Sequence, residues 1–261
     1  MKVGFIGAGN MGSALASAAS HTEGVTLYIS DTNEAKCKEL ATALNAKVST
    51  NAEIASECDY VFLAVKPQHI AAVIDEFKDA LGSGTIVSMA AGVSVGKLEA
   101  YFGKAVPIIR IMPNTPVAVG SGVILSSPNK LVTKKTEAEF LTLLKHAGEI
   151  DIIDEELIDA GTAVSGCSPA FVYMFIDALT KGGAEAGLDR NKAQLYAAKT
   201  LIGAATLLLE SGKTPEELRI AVCSPGGSTI EGVRALESGN LYELVSGAVK
   251  ASYEKTKILG K

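Results

Sequence analysis

Lys2-Val-Gly-Phe-Ile6 runs without a break into Gly7-Ala-Gly-Asn-Met-Gly12, and this junction decides the fold. Five residues carrying Val, Phe and Ile read as a buried strand. The glycines, spaced G-x-G-x-x-G, then open an alanine-rich helical stretch at 12–19. Such a turn lets a pyrophosphate approach the backbone and meet a helix N-terminus, as in dinucleotide-binding βαβ units. The glycine spacing alone is weak evidence. The next strand, 25–29, ends at Ser30-Asp31, so a carboxylate arrives about twenty residues after the glycines, where a ribose hydroxyl is met. Strand, helix and acidic residue coincide, which argues against glycines that serve only a tight turn. Ile6, Gly7, Ala8, Gly9, Asn10, Met11 and Gly12 are therefore candidate cofactor residues, with Ser30, Asp31 and Thr32. Asp31 favours NADH, because a carboxylate repels the 2′-phosphate of NADPH. Ser30, Thr32 and Asn33, with Lys36 one turn on, are instead suited to that phosphate, so the cofactor is NADPH or NADH.

Outward from this unit, Val- and Ile-rich runs alternate with helical stretches. Strands are expected at 2–6, 25–29, 47–49, 60–65, 85–89, 108–112, 122–126 and 149–153, and helices at 12–19, 33–44, 70–81, 95–102 and 134–146. The alternation predicts a parallel sheet covered by helices. From about residue 155 only helical spacing remains. Ser168 caps and Pro169 opens a helix to about residue 186; Asp189 caps the next, 191–210, which ends near Gly212. A short helix starts at Thr214-Pro215, and two more span 229–238 and 240–259. The expected fold class is α/β: an N-terminal Rossmann-type parallel sheet domain, residues 1–154, followed by an all-helical domain, residues 155–261.

Composition narrows the function. With 24 Lys+Arg against 29 Asp+Glu and no long basic run, neither nucleic acid nor an anionic membrane is an expected partner. Cys37, Cys58, Cys167 and Cys223 form no CxxC pair, and His21, His69 and His146 do not cluster with them. No metal site or disulfide framework is expected, and a reducing, cytoplasmic setting is. The N-terminus enters a folded pattern at once, without the layout of a secretory leader. The apolar segment 193–209 is interrupted by Gln194 and Lys199 and is short for a membrane span, so it reads as a buried helix. The histidines read as surface or helix-face residues, and Phe171 and Tyr173 as core or subunit contacts.

A second glycine turn, Val222-Cys-Ser-Pro-Gly-Gly-Ser-Thr-Ile-Glu-Gly232, lies between apolar helices. Ser228 and Glu231 fit a capping box, which would explain the helix start. Gly226 and Gly227 point instead to an anion held by free amides at the helix N-terminus. Both readings stay open, and they are compatible because one cap does not use every orphan amide.

Ala64-Val-Lys-Pro-Gln68 and Arg110-Ile-Met-Pro-Asn-Thr-Pro116 each follow a strand, where open α/β sheets bind ligands. Taken in order with GAGNMG, Ser165-Gly-Cys-Ser-Pro-Ala170 and the Pro-Gly-Gly turn, they resemble the pyrroline-5-carboxylate reductase family over nearly the whole chain. Two departures stand out: SGCSPA replaces the family's SGSGPA, and VCSPGGST its VTSPGGTT. No function needing a hydroxyl at Cys167 or Cys223 transfers. The resemblance implies that Ser224, Gly226, Gly227, Ser228 and Thr229 hold the carboxylate of a cyclic imine, with Thr229, the catalytic candidate, at the ring nitrogen. It places Asn51 near the adenine ribose, although by position Asn51 also reads as a cap for the segment that follows. Asn114, between two prolines, is tipped from turn residue towards cofactor neighbour. Ala64, Val65, Lys66 and Pro67 join the cofactor set, although Lys-Pro is also a plain strand exit. Met89, Ala90 and Ala91 follow a strand, and the small residues of Met89-Ala-Ala-Gly92 let the nicotinamide come close.

The expected reaction is hydride transfer from the nicotinamide to 1-pyrroline-5-carboxylate, giving L-proline, the last step of proline biosynthesis. The cofactor carries the chemistry, so the lack of an obvious catalytic His or Asp is no objection. Residues 155–261 would bind substrate and form a homodimer through the helices near 169–186 and 191–210, and the family implies intertwined dimers, in some members rings of dimers. One rival is a 3-hydroxyacid dehydrogenase, but Lys181 and Lys199 lack the neighbours its helix lysine requires. The other, a non-catalytic dinucleotide sensor, has no use for the SPGGST turn.

Overall fold

The structure, a computed structural model, describes residues 1–259. Strands β1 (Lys2–Ile6), β2 (Thr26–Ser30), β3 (Lys47–Val48), β4 (Tyr60–Leu63), β5 (Thr85–Ser88), β6 (Ile108–Pro113), β7 (Gly122–Pro128) and β8 (Gly148–Ile152) form one sheet in the order β3-β2-β1-β4-β5-β6-β7-β8. Helices α1 (Asn10–Ser20), α2 (Glu34–Ala43), α3 (Asn51–Glu57), α4 (Ile70–Phe77), α5 (Val95–Phe102) and α6 (Lys134–Leu143) connect them. Every strand falls within two residues of its expected bounds. This is the Rossmann-type α/β class, with a change of direction at β1/β4.

One expectation needs correction, because the sheet is not parallel throughout. β1 to β6 are parallel, but β7 runs antiparallel to β6, and β8 is parallel to β7. The reason is connection length: only the short 3-10 turn Thr115–Val119 lies between β6 and β7, and a parallel return needs a dozen or more residues. Helix α6 supplies that crossover for β8.

Alternation along the strands sends successive side chains to opposite faces. Val3 and Phe5 of β1 join Tyr60 and Phe62 of β4 under α1 and α6, with the Phe5 and Phe62 rings stacked at 4.4 Å. Ile6, Val61 and Leu63 face the other way, onto Ile54, Ile74, Phe77 and Leu98. Both faces are thus dry, as a mostly parallel sheet requires.

After β8 the chain is helical: α7 (Ile158–Gly161), a π-helical turn at Thr162–Gly166, then α8 (Ser168–Glu185), α9 (Arg190–Ser211), α10 (Pro215–Ala221), α11 (Ser228–Ser238) and α12 (Leu241–Leu259). The expected Ser168 cap does not form, because the chain arrives at Pro169 already helical through the π turn. Proline lacks an N–H for the carbonyl four residues back. That carbonyl, of Ser165, accepts from Asn114 Nδ2 at 3.0 Å instead.

The chain clusters into two compact units, Met1–Cys167 with the end of α12 from Ser252, and Ser168–Ala251. In the second, α8 and α9 pack as a hairpin around Thr180, Ala193 and Ala197, with Asp189 capping α9. Its remaining apolar faces are bare in the single chain: Tyr173 is 61%, Met174 72% and Leu209 85% exposed. Tyr173 is therefore no core residue. Among the described residues, Glu155–Glu185 is long and apolar enough to cross a membrane by length and composition alone. The sequence pointed to 193–209 instead, because α7, the π turn and α8 did not read as one helix.

Candidate functional site

A cavity of about 660 Å³ in the first unit opens at the carboxyl ends of β1, β4, β5 and β6, on the switch point. Gly7, Gly9, Asn10, Met11, Asp31, Ala64, Val65, Lys66, Pro67, Met89, Ala91, Met112 and Pro113 line it. Gly7 has φ +111°, and a Cβ there would sit 2.5 Å from the Ala64 carbonyl oxygen; one on Gly12 would strike the Gly7 carbonyl. Gly9 has nothing within 4 Å of such an atom. Internal packing thus explains the outer glycines, whereas the middle one leaves open backbone at the start of α1, which carries no side-chain cap. An incoming phosphate fits this cradle.

Beside it, Asp31 is held by two amides: Oδ2 accepts from Ala8 N–H at 2.6 Å and Oδ1 from Asn33 N–H at 2.7 Å. Ser30 Oγ donates to Asn51 Oδ1 at 2.7 Å, and Asn51 Nδ2 donates to Glu76 at 2.7 Å. Asn51 is not the helix cap. Thr50 caps α3 in a capping box with Glu53, whose carboxyl is held below the usual range by the Thr50 amide. That leaves the Asn51 side chain to reach Ser30. Lys66 is exposed and extended (φ −64°, ψ 146°), as the following proline demands. Ile6, Ala8, Gly12 and Ala90 are buried beneath the cavity floor, and Thr32 is exposed. Asn114 is turned inwards: besides holding Ser165, it accepts from Val123 N–H at 2.9 Å, and it does not line the cavity.

In the second unit, the turn before α11 differs from the capping-box reading. Gly227 is the N-cap, Ser228 is the first helical residue, and Glu231 pairs with Arg234. Gly226, at φ +71°, and a 3.0 Å bond from Gly227 N–H to the Ser224 carbonyl close the turn one residue too early for a serine cap. No side chain therefore occupies the first-turn amides of α11. Ser224, Gly226, Ser228 and Thr229 are exposed beside them.

Sequence reasoning missed Met112 and Pro113, although the end of any strand near the switch point is a candidate. It also gave no role to Arg110, which is 5% exposed on β6 and bonds Glu155 at 3.0 Å and Asp159 at 3.4 Å. An arginine inside Ile108-Ile-Arg-Ile-Met-Pro113 was itself the signal, since a buried charge demands partners.

Residues 155–259 match the family model described as "Pyrroline-5-carboxylate reductase dimerisation", and residues 2–92 match "NADP oxidoreductase coenzyme F420-dependent". The chain is 37% identical to the pyrroline-5-carboxylate reductase of Escherichia coli (strain K12), over 100% of this chain and 98% of that one. It is 38% identical to that of Aquifex aeolicus, covering 99% and 97%. The crystal structure of Plasmodium falciparum pyrroline carboxylate reductase with NADP bound superposes with a TM-score of 0.89 at 33% identity, covering 100% and 98% of the two chains. Likeness over the full length of both chains, on top of the glycine cradle and the open α11 turn, shows that this chain belongs to the pyrroline-5-carboxylate reductase family.

Proposed function

We propose that this protein is the NAD(P)H-dependent reductase that converts 1-pyrroline-5-carboxylate to L-proline. Beyond family membership, the observation that carries this reading is the SPGGST turn, whose glycines leave the first amides of α11 without a side-chain cap. Those amides suit a carboxylate. The nicotinamide, when bound, supplies a hydride from C4 to the imine carbon, and the protonated ring nitrogen becomes the amine. Gly7 to Gly12 hold the pyrophosphate, Asp31, Ser30 and Thr32 the adenine ribose with Asn51 supporting Ser30 from behind, and Ala64 to Pro67 with Met89 to Ala91 surround the nicotinamide. Met112 and Pro113 add an apolar wall to the cavity. Ser224, Gly226, Gly227 and Ser228 hold the substrate carboxylate, and the Thr229 hydroxyl meets the ring nitrogen. Asn114, with both ends of its side chain engaged, acts as a support for the β6 end rather than as a cofactor contact.

Residues 1–154 carry the cofactor, and residues 155–261 carry substrate and the dimer contacts. The protein works in the cytoplasm as a homodimer, alone or within a ring of dimers, and uses neither nucleic acid nor membrane. The bare apolar faces of α8 and α9 support the dimer. The test is oxidation of reduced nicotinamide by purified protein with 1-pyrroline-5-carboxylate, set against a simple 3-oxo acid. Oxidation with the imine alone supports the reading; oxidation with the oxo acid, or binding of imine without turnover, overturns it.

A further inference from the structure

The end of β2 offers hydrogen-bond acceptors and no oriented donor. Glu76 accepts only, so the Asn51 amide must turn its Nδ2 towards Glu76 and its Oδ1 towards Ser30. Ser30 must then give its single hydroxyl proton inwards to Asn51, which leaves only lone pairs on its outward side. Next to it, the Asp31 carboxylate cannot swing aside, because Ala8 N–H and Asn33 N–H each hold one of its oxygens. Asp31 lines the cavity. A ribose with free 2′ and 3′ hydroxyls donates into such a subsite, whereas a 2′-phosphate brings more acceptors and two negative charges to a fixed carboxylate. The two cations nearby in sequence, Lys36 and Lys38, are exposed on α2, where solvent screens them, and Lys38 is paired with Glu34 at 3.0 Å.

We infer that Asp31, with the Glu76–Asn51–Ser30 relay behind it, makes this enzyme selective for NADH over NADPH. Asp31 is the specificity-determining residue, and Glu76, on α4, is a positioning residue that acts through Asn51. The inference rests on the dinucleotide-reductase reading above. It adds the choice between two cofactors and a residue, Glu76, outside the cavity lining.

The experiment is fluorescence titration of the full-length protein with NADH and with NADPH, for wild type, Asp31→Asn, Asp31→Ser and Glu76→Ala, with a thermal melt of each as the folding control. Wild type should bind NADH about tenfold or more tightly than NADPH. Asp31→Asn keeps an acceptor for Ala8 and should bring the two affinities within about threefold of each other; Asp31→Ser should do so too, mainly by strengthening NADPH. Glu76→Ala frees the Asn51 amide to turn, and should shrink the ratio severalfold. A wild type that binds NADPH as tightly as NADH, or a ratio that moves in neither Asp31 variant, overturns the inference. A ratio unmoved by Glu76→Ala overturns the relay. Binding of neither dinucleotide overturns the reductase reading, and this inference with it.

Discussion

The Arg110 guanidinium on β6 lies 3.0 Å from the Glu155 carboxylate, 45 residues further along the chain, and the same carboxylate oxygen accepts the Val95 N–H at the start of α5. One buried cation thus ties the strand next to the cavity to the segment that follows β8 and to a helix start. Arg110→Met keeps the apolar length but leaves Glu155 and Asp159 without a counter-charge. Both are partly exposed and can rehydrate, so the expected loss is about 2–3 kcal/mol, below that for a fully buried pair. In a chain of this size that lowers Tm by roughly 5–10 °C, measurable by a thermal melt.

The three glycines of the first turn should separate by substitution. Gly7→Ala and Gly12→Ala drive a Cβ into backbone and should lower Tm, with Gly7 further penalised by its positive φ. Gly9→Ala meets open space and should fold normally, yet weaken dinucleotide binding by about tenfold or more, because its methyl stands where the pyrophosphate approaches. Paired melts and titrations read the difference. Normal binding by Gly9→Ala would remove the turn from the site.

Thr229 is exposed in the first turn of α11, and its hydroxyl caps nothing. Thr229→Val should therefore leave Tm within about 2 °C of wild type and lower kcat/KM for the imine by about 10- to 100-fold. Steady-state kinetics at saturating reduced nicotinamide checks this. Unchanged kinetics would place the ring nitrogen elsewhere.

Burial pushes the Cys58 thiol up to about 12 from its ordinary 9.0, with Asp59 and Glu57 adding to the effect. A folded value above the unfolded one means that the stabilisation is intact below about pH 9 and is lost as pH rises from there towards 12. Urea unfolding at about pH 8 and about pH 10.5 should show a larger loss for wild type than for Cys58→Ala. Native protein at about pH 8 should also shield Cys37 and Cys58 from maleimide, since both are buried, which mass spectrometry of the labelled chain reads directly.

Met174 and Leu209 lie 72% and 85% exposed on α8 and α9 in the single chain. Met174→Glu should convert the dimer to monomer or aggregate on size-exclusion chromatography and abolish turnover. A Met174→Glu protein that stays dimeric would move the interface to another face.

Much of the fold was legible locally. Strand, glycine turn and helix occupy eleven consecutive residues, Lys2 to Gly12, and their steric demands are met by neighbours the pattern implies. The strands declared themselves through apolar runs, and α5 fell on its expected bounds because Ser94 caps it and Gly103 ends it. Caps were harder to read. Ser228, Asn51 and Ser168 all suit an N-cap by residue type, yet Gly227, Thr50 and the π turn took their places, because one residue of backbone geometry decides which side chain reaches an orphan amide.

From sequence alone came the class of the sheet, the cradle at Gly7 to Gly12, the Asp31 carboxylate and the membership that the ordered motifs suggested, because each depends on residues within about one turn or one strand of each other. Only the tertiary structure decided the direction of β7, the pairing of Arg110 with Glu155, the support that Asn114 gives to Ser165, and the relay from Glu76 through Asn51 to Ser30. Those partners lie 21 to 51 residues apart in the chain. Their meeting depends on where whole strands and helices pack, and no local pattern of residue types encodes a contact over that separation.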